Sequence, residues 1–123
     1  MAKILIIDDD VQTTKLLESM VVLFGHQATS VNNSMSAVEI ANSTMPDLVL
    51  LDIMMPGING IELCKIFQST SALKHIAIII VSALNDLGSK KDALHAGARD
   101  FLAKPILPQV LSDKINVILS GAN

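Results

Sequence analysis

"KILIIDDD", residues 3–10, sets four consecutive aliphatic side chains, Ile4 to Ile7, directly ahead of three aspartates, Asp8, Asp9 and Asp10. An unbroken aliphatic run of this length reads as a strand buried on both faces, the kind that belongs to a parallel sheet covered by helices on each side. The aspartates are then delivered together at its carboxyl end. Two carboxylates about 4 Å apart repel by roughly 4 kcal/mol at an effective dielectric near 20. Such a cluster calls for a cation, a shared proton, or a spread-out and well-solvated geometry.

The same signature recurs along the chain. Leu48–Leu51 and Ile76–Val81 are further buried-strand runs, and Gln27–Val31 and Asp100–Ala103 are shorter candidates. Helical spacing fills the intervals. Leu16, Leu17, Met20, Val21 and Phe24 recur in one segment that Gly25 stops. A second helix is expected from Ser34 to Ser43, closed before Pro46. The third, Asn59 to Ser69, opens on a capping asparagine and aligns Leu63, Cys64 and Phe67 on one side. Ser89 to Ala96 ends at Gly97, and Gln109 to Leu119 follows Pro108 with Leu111, Ile115 and Ile118 turned inward.

Five β–α units in succession predict an α/β fold: one domain over residues 1–123, a doubly wound five-stranded parallel sheet with five flanking helices. In open sheets of this kind, ligands sit beyond the carboxyl ends of the strands, where the strand order reverses. Asp8 and Asp9 leave the first strand, Asp52 the third, Ser82 the fourth and Lys104 the fifth, so all are expected at one crevice.

Composition narrows the function further. Half of the 123 residues are hydrophobic, which suits a folded core, and no apolar run approaches the length of a membrane span. The lone Cys64 forbids an internal disulfide and, with no signal-like N-terminus, points to a cytoplasmic protein. A net charge of −3 without a basic stripe, no Trp or Tyr and only three Phe argue against direct nucleic-acid binding.

Three carboxylates, a hydroxyl and a lysine at one sheet edge suggest a magnesium and phosphate site. Mg²⁺ takes hard oxygen ligands, keeps several waters and needs only one or two protein carboxylates. Lysine and serine suit phosphate oxygens.

"ILIIDDD", "PDLVLLDIMMPGINGIEL", "IIIVSA" and "GARDFLAKPI" stand in order from one end of the chain to the other. Together they resemble the receiver domain of bacterial two-component response regulators. The resemblance implies the flavodoxin-like strand order 2-1-3-4-5. It implies Asp52 as phosphoacceptor, a carboxylate nucleophile forming an acyl phosphate. Asp9, Asp52 and the main-chain carbonyl of Met54 would hold Mg²⁺ directly and Asp8 through water. Ser82 would bond the new phosphoryl group, and Lys104 would pair with Asp52 before phosphorylation and with the phosphate after it. The Lys104–Pro105 bond is expected to be cis. Ser82 and its loop would move toward the phosphoryl oxygens and Phe101 would turn inward, reshaping the surface of the fourth helix, fifth strand and fifth helix.

The implied partners are a sensor histidine kinase or histidine phosphotransfer protein upstream, and a protein target or fused output domain downstream. Stand-alone receivers of the chemotaxis type and receivers within longer chains share these motifs. The pairing of "VSALND" with "GARDFLAKPI" has a fainter resemblance to receivers attached to cyclic-di-GMP synthases. Ser82 stands where Thr is also frequent and Phe101 where Tyr is common. Met54 and Leu84 are apolar and cannot orient an attacking water, so autodephosphorylation is expected to be slow at most, and the chain is read as a switch rather than an enzyme.

Two rivals belong to other classes. A phosphohydrolase of the haloacid dehalogenase type needs Asp-x-Asp followed at a fixed step by Thr or Val. Asp8 and Asp10 fit, but Gln12 holds that position, and Asp86 alone stands where a later acidic pair is required. A phosphate-independent pseudo-receiver would be expected to lack one of the acids or the lysine, and all are present. Among the other polar residues, Asp10 reads as a helix cap, Asp47 as a strand starter and Cys64 as a small core side chain. His26, His75 and His95 show no ligand spacing and read as surface residues.

Overall fold

The aliphatic runs become the middle of a sheet. The computed structural model describes residues 1–84 and 87–121. Five strands, β1 (Lys3–Ile7), β2 (Gln27–Val31), β3 (Leu48–Leu51), β4 (Ala77–Ser82) and β5 (Asp100–Ala103), pair in parallel in the order β2-β1-β3-β4-β5. The helices between them are α1 (Val11–Leu23), α2 (Ala37–Thr44), α3 (Gly60–Ser69), α4 (Leu87–His95) and α5 (Pro108–Leu119). Asp86, the lone acid weighed for a hydrolase, lies outside the described residues.

Strand periodicity divides the core into two layers. Leu5, Ile7, Val49, Leu51, Ile78 and Ile80 face α2, α3 and α4, where Leu63, Cys64 and Phe67 are fully buried. Ile4, Ile6, Leu48, Leu50 and Ile79 face the other way, against Leu17, Met20 and Val21 of α1 and Leu111 and Ile115 of α5. Each such side chain contributes about 1.5–3 kcal/mol on burial, which anchors the strand ends that carry the acids. Burial on both faces explains why β1, β3 and β4 read as continuous apolar runs. The edge strand β2 is only partly covered and reads as mixed.

The helix ends follow their capping residues. Asp10 accepts from the Gln12 amide at 3.1 Å and the Thr13 hydroxyl at 2.7 Å, opening α1. Asn59 accepts from the Glu62 amide at 2.9 Å, opening α3. Pro108 occupies the first turn of α5, where its missing N–H costs nothing.

Four expectations need correction. Leu16 is 54% exposed, because neighbours in a helix diverge by 100° and Leu17 takes the inward position with Met20 and Val21. The segment after β2 opens as a 3-10 turn, Ser34–Ser36, before the α-helix begins at Ala37. His26 is half-buried, its Nδ1 accepting from the Ala2 amide at 3.0 Å. Asp47 does more than start β3: its Oδ2 accepts from the Lys3 amide at 2.8 Å and ties down the start of β1. Among the described residues, no helix is long and apolar enough to cross a membrane.

Candidate functional site

The strand order reverses between β1 and β3, and their carboxyl ends meet there. The Asp52 amide donates to the Ile7 carbonyl at 3.0 Å, holding the residue after β3 beside the end of β1. Carboxylate oxygens of Asp8, Asp9 and Asp52 lie within 4.8 Å of one another. Asp8 and Asp52 are buried, whereas Asp9 faces solvent.

Each buried acid is held by backbone donors as well as by charge. Asp8 Oδ1 accepts from the Asp10 amide at 2.9 Å and its Oδ2 from Lys104 Nζ at 3.0 Å. Asp52 Oδ1 accepts from the Ile53 amide at 2.9 Å and lies 3.7 Å from Lys104 Nζ. The lysine thus pairs more closely with Asp8 than with Asp52, the partner expected from sequence. Its 3.7 Å separation from Asp52 is an ion pair without a hydrogen bond.

The electrostatics follow from this crowding. Burial, then the charge of Asp8, push the Asp52 carboxyl up to about 6 against the attraction of Lys104. Burial pulls Lys104 down, but its hydrogen bond to Asp8 and the charges of Asp52 and Asp8 outweigh that and hold it above its ordinary value. Asp10 is held low by the Thr13 hydroxyl and the Gln12 amide, in keeping with a capping role. One lysine against three carboxylates leaves the crevice negative, and an all-oxygen donor set fits a hard divalent cation.

Ser82 ends β4 fully buried, and its hydroxyl accepts from the Leu84 amide at 3.1 Å, which leaves the hydroxyl proton available to donate. Its carbonyl accepts from the Lys104 amide at 2.9 Å, joining the ends of β4 and β5. The Lys104–Pro105 bond is cis. Phe101, half-buried on β5, packs against the core layer shared by α3 and α4. The Met54 side chain is 62% exposed.

Three contributors escaped the sequence reading. The Asn32 amide group donates to the Asp8 carbonyl at 2.9 Å, and the Ser34 hydroxyl donates to the Pro56 carbonyl at 2.8 Å. Gly60 opens α3 directly over the phosphoacceptor candidate, where a Cβ would fall 2.0 Å from the Asp52 carbonyl oxygen. For Asn32 and Ser34 the only available signal was their place at the carboxyl end of a strand. For Gly60 it was a glycine at the first helical position, where no turn requires one.

Comparison with known proteins agrees with this geometry. Residues 4–116 match the model of the response regulator receiver domain. The protein PilH of Pseudomonas aeruginosa is 36% identical over 121 residues, 98% of this chain and 100% of PilH. The response regulator PleD of Caulobacter vibrioides is 33% identical over 105 residues, 85% of this chain but 23% of PleD, so the chain spans under a quarter of that relative. The crystal structure of the signal receiver domain of a signal transduction histidine kinase from Syntrophus aciditrophicus superposes with a TM-score of 0.90 at 31% identity, over 100% of this chain and 93% of that one. With its strand order, its acid cluster and a family match over most of its length, the chain belongs to the response regulator receiver domains, the phosphorylation-responsive modules of two-component signalling.

Proposed function

We propose that this chain is a Mg²⁺-dependent phosphorylation switch in which Asp52 takes a phosphoryl group from the phosphohistidine of a sensor kinase or histidine phosphotransfer protein in the cytoplasm. The convergence of Asp8, Asp9 and Asp52 within 4.8 Å, with Lys104 in ion-pair reach of two of them, carries this reading. Asp52 Oδ1 is occupied by the Ile53 amide and faces Lys104, so Oδ2 is assigned as the attacking oxygen. The bond from phosphorus to the donor imidazole nitrogen breaks as the bond to Asp52 forms, and the departing imidazole takes its proton from solvent.

Asp9, Asp52 and the Met54 main-chain carbonyl would hold Mg²⁺ directly, and Asp8 through water. The ion supplies the positive charge that lets a phosphoryl oxygen approach a ring of carboxylates. Lys104 neutralises part of the same charge.

The product brings about −1.5 to −2 charge units and three acceptor oxygens beside the ends of β4 and β5. Ser82, whose proton is free to donate, turns to those oxygens and gives up the Leu84 amide. Movement of that loop makes room for Phe101 to bury its exposed part, which alters the surface of α4, β5 and α5 read by a target protein or fused output domain. Met54 and Leu84 place no water-orienting group near the phosphoryl, so release without a partner is slow.

The test is intact mass after incubation with acetyl phosphate, with and without Mg²⁺, on wild type and Asp52→Ala. The reading predicts a Mg²⁺-dependent gain of one phosphoryl group that the variant lacks. No gain under any condition makes the chain a phosphate-independent interaction module instead.

A further inference from the structure

The loop between β2 and α2 is remote in sequence from both acidic segments, yet its side chains reach each of them. Asn32 donates to the Asp8 carbonyl at 2.9 Å and to the Thr14 hydroxyl at 3.0 Å. Thr14 is itself buried and donates to the Val11 carbonyl at 3.0 Å, so this arm ties the acidic turn to the first turn of α1. Two residues on, Ser34 is 2% exposed and uses its hydroxyl twice. It donates to the Pro56 carbonyl at 2.8 Å and accepts from the Ile58 amide at 3.1 Å.

Those two groups flank Gly57, whose φ of +84° turns the chain back toward α3. A Cβ on Gly57 would stand 3.1 Å from Ser34 Oγ, so the hydroxyl lies closely against the turn. Asn33 fixes the loop that carries both arms, its side chain accepting from the Met35 amide at 3.0 Å. Both arms are well-formed hydrogen bonds, and the Ser34 hydroxyl is itself buried, so losing its partners leaves a polar group short of water to replace them.

We infer that Asn32 and Ser34 form a bracket that presets the cation site, with Ser34 as the positioning residue for the Met54–Ile58 segment and Asn32 for the acidic turn at Asp8. The inference rests on the reading that Asp9, Asp52 and the Met54 carbonyl hold Mg²⁺. Neither residue touches the ion. Ser34 acts by keeping the segment after Asp52 from drifting away from β1, and Asn32 by keeping the Asp8 backbone beside β2. A site assembled in advance binds without the cost of ordering its own loops.

The experiment measures Mg²⁺ dissociation constants by calorimetry on the unphosphorylated protein, for wild type, Asn32→Ala, Ser34→Ala and Ser43→Ala. Ser43 also donates its hydroxyl to a carbonyl, that of Ile40 at 3.0 Å, at the far end of α2. It is exposed and remote from the acids, so its loss controls for removing a serine hydroxyl outside the bracket. Ser34→Ala and Asn32→Ala are each expected to weaken Mg²⁺ binding by about tenfold, the lower end for second-layer partners of metal sites, while Ser43→Ala leaves it unchanged. At saturating Mg²⁺ the rate of phosphorylation by acetyl phosphate should return to within about twofold of wild type, because the ligands themselves are intact.

Equal Mg²⁺ affinity in Ser34→Ala and wild type overturns the bracket and leaves the phosphoacceptor reading standing. Wild type that binds Mg²⁺ but takes no phosphoryl group overturns the phosphoacceptor reading and leaves the bracket standing. Hydrogen exchange of the Ile58 amide in wild type decides the matter even if Ser34→Ala does not fold. Slow exchange of this amide before Mg²⁺ is added supports the bracket, and exchange as fast as that of an unbonded loop amide until Mg²⁺ is added refutes it.

Discussion

Replacing Asp52 by asparagine should make the metal-free protein more stable, and only where the pH lies above the unfolded carboxyl's ordinary value. Burial and the neighbouring Asp8 raise this carboxyl from 3.8 to about 6. A shift of one pKa unit corresponds to about 1.4 kcal/mol, so the ionised form costs the folded state about 3 kcal/mol near neutral pH. The sign follows from proton binding. Between pH 3.8 and about 6 the folded chain binds the proton that the unfolded chain has released, so stability falls as pH rises through that window and stays low above it. Asparagine keeps an oxygen for the Ile53 amide and removes the charge.

In EDTA at pH 7 the expected gain is about 3 kcal/mol, or about 1.5 M in urea midpoint for a typical slope of about 2 kcal/mol/M. By pH 4 it should shrink to about 0.5 kcal/mol, because little of the window above 3.8 has then been crossed. The protein has no Trp or Tyr, so urea unfolding is best followed by far-ultraviolet circular dichroism. Added Mg²⁺ should narrow the gap by stabilising wild type in proportion to its occupancy. A variant no more stable than wild type at pH 7, or one with the same gain at pH 4, would refute the electrostatic account.

Three further outcomes follow from the same geometry. Lys104→Met removes the cation 3.0 Å from Asp8 and 3.7 Å from Asp52, and should lower stability at pH 7 by about 1–2 kcal/mol, discounted because the lysine is partly solvated; urea midpoints that do not change would contradict it. Gly60→Ala forces a methyl to 2.0 Å from the Asp52 carbonyl and should cost about 2–3 kcal/mol; a variant as stable as wild type would mean that α3 can step back from β3. With Asp52 phosphorylated, Leu84→Glu should shorten the phosphoryl half-life by about tenfold by holding a water that leucine cannot. Loss of the phosphoryl from wild type within seconds, read by intact mass, would remove the premise.

Much of the fold was legible because the chemistry of a doubly covered sheet is blunt. Leu48–Leu51 and Asp100–Ala103 emerge with the ends read from sequence, and so does the edge strand Gln27–Val31 despite its mixed pattern. The turn signals around them, Gly25 and Gly97 with φ of +92° and +109°, mark where the chain must reverse. Legibility failed where one residue's worth of rotation decided the outcome. Leu16 and Leu17 are equally apolar, and only the packing of α1 against Ile4 and Ile6 selects Leu17. The first turn after β2 is similar: its serines suit a helix start, but the Ser34 hydroxyl is engaged by Pro56 and Ile58, and the α-helix waits until Ala37.

The site divides along the same line. Asp8, Asp9, Asp52 and Lys104 could be placed from sequence because an ionised side chain at the end of a buried strand has few bland explanations. Their grouping follows from topology once the strand order is known. What could not be read is which acid the lysine prefers. That choice turns on 0.7 Å, the difference between 3.7 and 3.0 Å, and on the Ile53 amide that already engages the Asp52 oxygen. The preference has a consequence for chemistry. A lysine centred on Asp52 would hold its carboxyl low, whereas one drawn to Asp8 leaves Asp52 as the strained acid of the trio, pushed up to about 6. Asn32 and Ser34 were illegible for the opposite reason. An asparagine and a serine after a strand are what almost any turn contains, and nothing in their type says that one reaches Asp8 and the other Pro56. Residue types revealed the charges, and only the three-dimensional path of the chain revealed what holds them in place.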